Sequence, residues 1–203
     1  DGQGHTISGL KMSSSSYPLV GLFGRADSAT IKNIVLDDSC SVASSYSGYS
    51  ALVGSLASAC VDCAVKNIVN MASVSFVGAV SYGLAIGGFV GQLSSEAIEP
   101  FVVNCANYGS VTVTGSADSD IYFGGIIGSC APESSTAKAY VQNCLNYGDI
   151  KFSGSTQTKA CVGGLVGATQ YTEFNNCVDI GSVSSTGSSG TVLKGPIIGI
   201  APN

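Results

Sequence analysis

A chain of 203 residues that is 45% apolar and only 10% charged has enough length for one domain with a real core, and too much apolar content for an ordinary disordered linker. Eight Lys and Arg against thirteen Asp and Glu leave a net charge of −5, which excludes nucleic-acid recognition by a basic face. A mean hydropathy of +0.36 arises without any apolar run near the roughly 20 residues of a membrane-spanning helix, so membrane insertion is not expected.

In chain order, the opening Asp1 to Leu10 reads D-G-Q-G-H-T-I-S-G-L, a strand expected to belong to a coil preceding the first full repeat. A short apolar segment ending in Gly follows at Gly21 to Gly24, then I-K-N-I at Ile31 to Ile34, then S-C-S-V at Ser39 to Val42. The same three motifs return as A-L-V-G (Ala51 to Gly54), V-K-N-I (Val65 to Ile68) and N-M-A-S-V-S-F (Asn70 to Phe76). They return again as G-G-F-V-G (Gly87 to Gly91), V-V-N-C (Val102 to Cys105) and N-Y-G-S-V-T-V (Asn107 to Val113). The next round is G-G-I-I-G (Gly124 to Gly128), V-Q-N-C (Val141 to Cys144) and N-Y-G-D-I-K-F (Asn146 to Phe152). The last is G-G-L-V-G (Gly163 to Gly167), F-N-N-C (Phe174 to Cys177) and D-I-G-S-V (Asp179 to Val183), before a closing G-P-I-I-G at Gly195 to Gly199.

Three motifs held in phase over about five repeats of 30 to 39 residues define the architecture. The runs are short, rich in Val, Ile and Phe, and punctuated by Gly and Asn, which is strand chemistry; no helical period persists. A unit of three short strands cannot bury its own apolar face, so the repeats must stack. The sequence therefore predicts an all-β parallel β-solenoid with three short strands per coil, one domain over residues 1–203. Ser/Thr/Gly-rich stretches (Ser13 to Pro18, Ser44 to Ser50, Gln92 to Pro100, Ser129 to Ala139, Ser184 to Gly190) absorb the length variation and are expected to be loops.

Stacking places like residues above like. Val74, Val111, Ile150 and Val183 form one expected inward column, with Cys40 in its first coil; Phe76, Val113 and Phe152 form a second; Ile34, Ile68, Cys105, Cys144 and Cys177 form a third. The glycines Gly24, Gly54, Gly91, Gly128, Gly167 and Gly199 are taken as equivalent, allowing close approach or a corner. Asn33, Asn67, Asn104, Asn143 and Asn176 predict a stacked amide ladder, the alternative being a row of amides that recognises a ligand. Asn70, Asn107, Asn146 and Asp179 make a second polar column of the same kind.

Eight cysteines suit an oxidising compartment, but Cys40, Cys105, Cys144 and Cys177 fall at inward positions, where buried free thiols are expected. Cys60 and Cys63 form a C-x-x-C expected in a loop as a local disulfide, while Cys130 and Cys161 sit at loop edges. Catalytic chemistry finds little support. The only imidazole, His5, is read as a strand residue, and Asp37/Asp38 and Asp118/Asp120 as turn residues, with calcium at the latter pair a lesser alternative. Asp149 and Asp179 leave a glycosidase pair open. No catalytic residue, metal site or cofactor is assigned.

The G-L-F-G and G-G-L-V-G segments, the following I-K-N-I or V-x-N-C, and the opening D-G-x-G-H-T-I-S-G-L resemble GLUG-type repeats of large secreted or surface-anchored, adhesin-like proteins. The resemblance covers essentially the whole chain and implies a parallel β-solenoid stalk at the cell surface. The cysteine column and the swollen loops depart from that pattern. The chain opens at Asp1 without a charged-then-apolar leader, so a signal peptide is expected to have been removed or to precede these residues. The functional expectation is a non-enzymatic structural or adhesive extracellular module, a stalk or fibre unit. Its first partner is itself, by end-to-end stacking or continuation of a longer solenoid whose edge, at Pro202 and Asn203, bears no obvious cap. Surface glycans and host or matrix proteins are the further partners. The alternative is a carbohydrate-binding or polysaccharide-degrading β-helix; an ice-binding solenoid ranks last, because Thr112/Thr114 and Thr156/Thr158 do not recur in every coil.

Overall fold

The computed structural model describes residues 1–132 and 137–201, so the stretch within Ser129 to Ala139 is described only in part, and Pro202 and Asn203 lie outside the described residues. Every pairing between strands is parallel, and no helix occurs among the described residues. The chain winds as a β-solenoid, each strand pairing with the one a coil later in nearly unbroken register. Val74 pairs with Val111, Val111 with Ile150, and Ile150 with Val183. Among the described residues the register shifts between Thr156 and Lys159. Val90 pairs with Ile127 and Gln92 with Ser129, which puts Gly91 and Gly128 on adjoining rungs.

Four parallel sheets wrap the axis, not the three strands per coil expected from the motifs. Sheet 1 carries the Asn motif (for example Ala64–Asn70), sheet 2 the S-V-x-F segment (Ser73–Phe76), sheet 3 the strand before the glycine pair (Leu84–Gly87) and sheet 4 the strand after it (Val90–Ser95). The cause is that G-G-F-V-G is a corner and not one strand. A Cβ on Gly54 would stand 2.5 Å from Phe89 O and one on Gly124 2.5 Å from Ile127 O, so only glycine lets the chain turn so tightly there.

This corner corrects the alignment of the second repeat. Gly54 pairs with Gly87, the first glycine of its pair, while the position of Gly91 is taken by Ser58, which lies between the paired Ala57 and Ala59. Ser58 Oγ donates to Gly24 O on the coil below. Cys40 is likewise two residues out of its expected column: Val42, not Cys40, pairs with Val74, and Met12 lies below it. The opening His5 to Leu10 does take the preceding coil, Thr6 and Ile7 pairing with Val35 and Leu36. Several expected loops are partly strand. Gln92 to Ser95 continues the Val90–Ser95 strand, and Ser188–Gly195 is a strand against Ser155–Gly163.

The interior is divided. One apolar cluster lies between sheets 1 and 4 (Val65, Ile68, Phe89, Leu93, Val102, Ile126), and a second between sheets 2 and 3 (Val74, Phe76, Ile86, Val111, Phe123, Phe152). Phe76, Phe89, Phe123 and Phe152 are fully buried, each contributing about 1.5–3 kcal/mol of transfer free energy. Between the clusters the polar column meets the glycine pairs: a Cβ on Gly88 would lie 2.9 Å from the Asn107 Cγ. The outer side of sheet 3 also folds back toward sheet 4. A Cβ on Gly91 would stand 2.8 Å from Val53 N, and the outward Ala59, Ala85 and Cys161 are buried. The coil outline is therefore bent, with a re-entrant groove between sheets 3 and 4 lined by Leu52, Tyr82, Ala85, Gln92, Tyr122 and Ser129.

Candidate functional site

Both asparagine columns are ladders, and they differ in kind. Asn33, Asn67, Asn104, Asn143 and Asn176 all hold φ between 51° and 57°, the left-handed region that Asn tolerates and that kinks sheet 1 along its middle. Asn67, Asn104, Asn143 and Asn176 are exposed. The Nδ2 of each donates to the Oδ1 one coil earlier: Asn67 to Asn33 at 2.9 Å, Asn104 to Asn67 at 3.2 Å, Asn143 to Asn104 at 3.0 Å and Asn176 to Asn143 at 3.2 Å. Asn33 in turn donates to the Asp1 carboxylate at 3.0 Å.

The inner ladder runs the other way. Asn70, Asn107 and Asn146 are fully buried, and each Nδ2 donates one coil forward: Asn70 to Asn107 at 2.8 Å, Asn107 to Asn146 at 2.7 Å, Asn146 to Asp179 at 2.8 Å. The second N–H of each amide reaches the carbonyl two residues on (Ala72, Gly109, Gly148), and backbone N–H groups return to the Oδ1 of Asn70 and Asn146. A buried amide satisfied in this way stabilises its site, whereas one left unpaired costs free energy. Asp179 ends the column as an acceptor with no amide to donate onward, and burial raises its pKa.

Cysteines serve mainly as small core residues. All eight are free thiols; seven are buried and Cys177 is half-buried. Cys105, Cys144 and Cys177 stack beneath and above one another as expected, each thiol donating to backbone carbonyls. The hydrogen bond from Cys105 pushes Cys144 up to about 12, and burial holds Cys130 and Cys161 at about 11, so these remain neutral near pH 7. Cys130 and Cys161 are interior to strands Ile127–Pro132 and Ser155–Gly163, not at loop edges. The expected Cys60–Cys63 disulfide in a loop is absent. Cys60 belongs to the strand Ala57–Val61, Asp62 at φ 54° turns the corner, and both thiols enter the same core as free neighbours. Their mutual hydrogen bond raises Cys60 and lowers Cys63 to about 7.

Of the carboxylates named from sequence, Asp118, Asp120, Asp149 and Asp179 are engaged between coils. Asp118 accepts from Gln157 Nε2 at 2.9 Å; Asp120 accepts from Thr158 Oγ1, Tyr122 OH and Lys159 N. Asp149 accepts from Ser182 Oγ and pairs with Lys151 at 2.9 Å, which together hold it down at about 2. Asp37 accepts from Ser39, and His5 is exposed at the first coil. Among the described residues no group of three His, Cys, Asp or Glu is placed to hold a metal ion. Asp62 escaped the sequence analysis: its carboxylate gathers the N–H groups of Glu96, Ala97 and Ile98 at 2.8–3.2 Å and ties down the loop one coil later.

Outward-facing aromatic side chains lie in two places: Tyr49 and Tyr82 stack at 5.1 Å beside sheet 3, and a second set lies on sheet 1. Its amide ladder is flanked on one side by Phe101 and Tyr140, register partners beside Lys66, Val103 and Gln142 around a depression of about 410 Å³. The Lys66 ammonium lies 4.5 Å from the Phe101 ring centroid. On the other side run Val69, Ala106, Leu145 and Val178, then the exposed Met71, Tyr108, Tyr147 and Ile180; the Tyr108 and Tyr147 rings stack at 4.8 Å. The N-Y-G repeat carried the signal for these tyrosines. Their side of the sheet follows only from the kink at the asparagines.

No family model, curated protein or solved structure matches the chain.

Proposed function

We propose that this chain is a non-enzymatic structural or adhesive module of the cell exterior, a β-solenoid stalk or fibre unit whose coils continue into further coils or a second copy. The observation that carries this is the stacking of equivalent strands: Val74, Val111, Ile150 and Val183 pair rung on rung, as do Leu84, Ile121 and Ala160. Each coil therefore offers the next one the same parallel edge and the same apolar columns, a pattern that extends by adding coils. The GLUG-type resemblance supports the extracellular and adhesin-like placement. The polysaccharide-degrading alternative is less well supported, since Asp118, Asp120, Asp149 and Asp179 each hold a neighbouring coil.

Electron microscopy and sedimentation over a hundredfold concentration range test the assembly. Rods thickening neither in width nor in coil outline but growing in length with concentration are expected; a strictly monomeric species at the highest concentration would remove self-stacking and leave only continuation within a longer chain.

A further inference from the structure

Each amide of the outer ladder has two N–H donors and two acceptor lone pairs, and the ladder engages one of each. Asn104 and Asn143 therefore present a second donor and a second lone pair to solvent, repeated at the strand spacing of about 4.8 Å. Aromatic and apolar columns border this polar track on both sides: Phe101 and Tyr140 on one, Leu145, Tyr108 and Tyr147 on the other. The charges on this face are mostly paired: Lys32, the register partner of Lys66, lies 3.5 Å from the Asp1 carboxylate. Glu173 is paired with Lys138 at 2.6 Å, and Lys66 rests on the Phe101 ring.

We propose that the outer face of sheet 1 is a binding site for an extended neutral polysaccharide lying along the solenoid axis; this deepens the adhesive reading and rests on it. Sugar rings have apolar C–H faces and equatorial hydroxyls that both donate and accept. The rings of Phe101 and Tyr140 receive the former, and the free amide positions of Asn104, Asn143 and Gln142 receive the latter. Sites for small molecules share this division between aromatic lining and a few placed polar groups. A repeat of about 4.8 Å is close to the rise of one sugar ring in an extended chain, so successive rings meet equivalent groups on successive coils. The near-neutral face, within a chain of net charge −5, disfavours a polyanion.

The test is affinity electrophoresis in native gels containing a neutral polymer (mixed-linkage β-glucan, xyloglucan or galactomannan) or an acidic one (alginate or polygalacturonate). Retardation by at least one neutral polymer is expected. Tyr140→Ala and Asn143→Gly should weaken it at least tenfold, while the distant Tyr49→Ala changes it less than twofold. Phe101→Ala stands in if Tyr140→Ala loses its far-UV circular dichroism. No retardation by any neutral polymer, retardation only by the acidic ones, or equal retardation of wild type, Tyr140→Ala and Phe101→Ala overturns the proposal. Filaments seen without polysaccharide binding reject this site and leave the fibre unit standing.

Discussion

Replacing Asn107 by Ala removes the middle of the inner ladder. Three hydrogen bonds go: the one from Asn70 at 2.8 Å, the one to Asn146 at 2.7 Å and the one to Gly109 O at 2.8 Å. Asn70 keeps its bond to Ala72 O and Asn146 Oδ1 keeps Gly148 N, so the groups left orphaned in the interior are one N–H of Asn70 and the Gly109 carbonyl. Each buried, unsatisfied group costs about 1–3 kcal/mol. The total for the two groups, about 2–6 kcal/mol, is a large part of the roughly 5–15 kcal/mol that holds an ordinary domain together. The outer ladder supplies the control. Asn104→Ala loses two exposed bonds, replaceable by water, and puts a Cβ-bearing residue without a local side-chain bond at φ 55°, for about 1–2 kcal/mol; Asn104→Gly recovers most of that. Urea unfolding followed by far-UV circular dichroism measures all three, with the m-value checked for constancy. An Asn107→Ala cost equal to or below that of Asn104→Ala would refute the claim that burial, not mere repetition, gives the inner column its weight.

Gly128→Ala should abolish stable folding, because its Cβ would stand 2.6 Å from Gly91 O and against the Ile86 backbone; Gly4→Ala, with open space but φ +78°, should cost only about 1 kcal/mol by the same unfolding assay. Asp179→Asn should raise stability at neutral pH by giving the last rung a donor for the Gly181 carbonyl. In the wild type the raised pKa of Asp179 means its contribution is fully present below the unfolded carboxyl pKa and is lost as pH rises through the folded value, a loss absent from the Asn variant in melting curves from pH 3 to 7. Asp149 has the opposite sign: held at about 2, it stabilises above the unfolded pKa and this is lost as acid brings the pH down toward 2, a dependence that Ser182→Ala should shrink. Thiol titration of the native chain should show seven protected cysteines and the half-buried Cys177 reacting slowly, because its hydrogen bond with Cys144 pushes its pKa up, with all eight reacting in denaturant; fast reaction of Cys60 or Cys63 in the native state would contradict their burial.

The inner and outer asparagines show how far a sequence can be pushed. Ile68 and Asn70 are two residues apart in one strand, so they share a face, and a buried Ile68 already implies a buried Asn70. The same parity cannot be continued across Asn67, whose left-handed backbone breaks the alternation. The side of the solenoid on which Met71, Tyr108 and Tyr147 emerge depends on that kink. The acidic end of the inner column was visible as a substitution of Asp179 for Asn, but its consequence needed the direction of the hydrogen bonds.

Periodicity alone determined that this chain is a parallel β-solenoid, because apolar residues recurring in phase every 30 to 39 positions can be buried together only by stacking equivalent strands. Corner geometry was left to the tertiary structure. A glycine between two apolar residues reads the same whether it lies within a strand or turns it, so Gly54 and Ser58 could be placed only once their neighbours across the coil were known. The fourth sheet, the divided core and the meeting of Asn107 with Gly88 all follow from how tightly those corners close. Like residues fix what stacks; the space available at each turn of the backbone fixes which way they face.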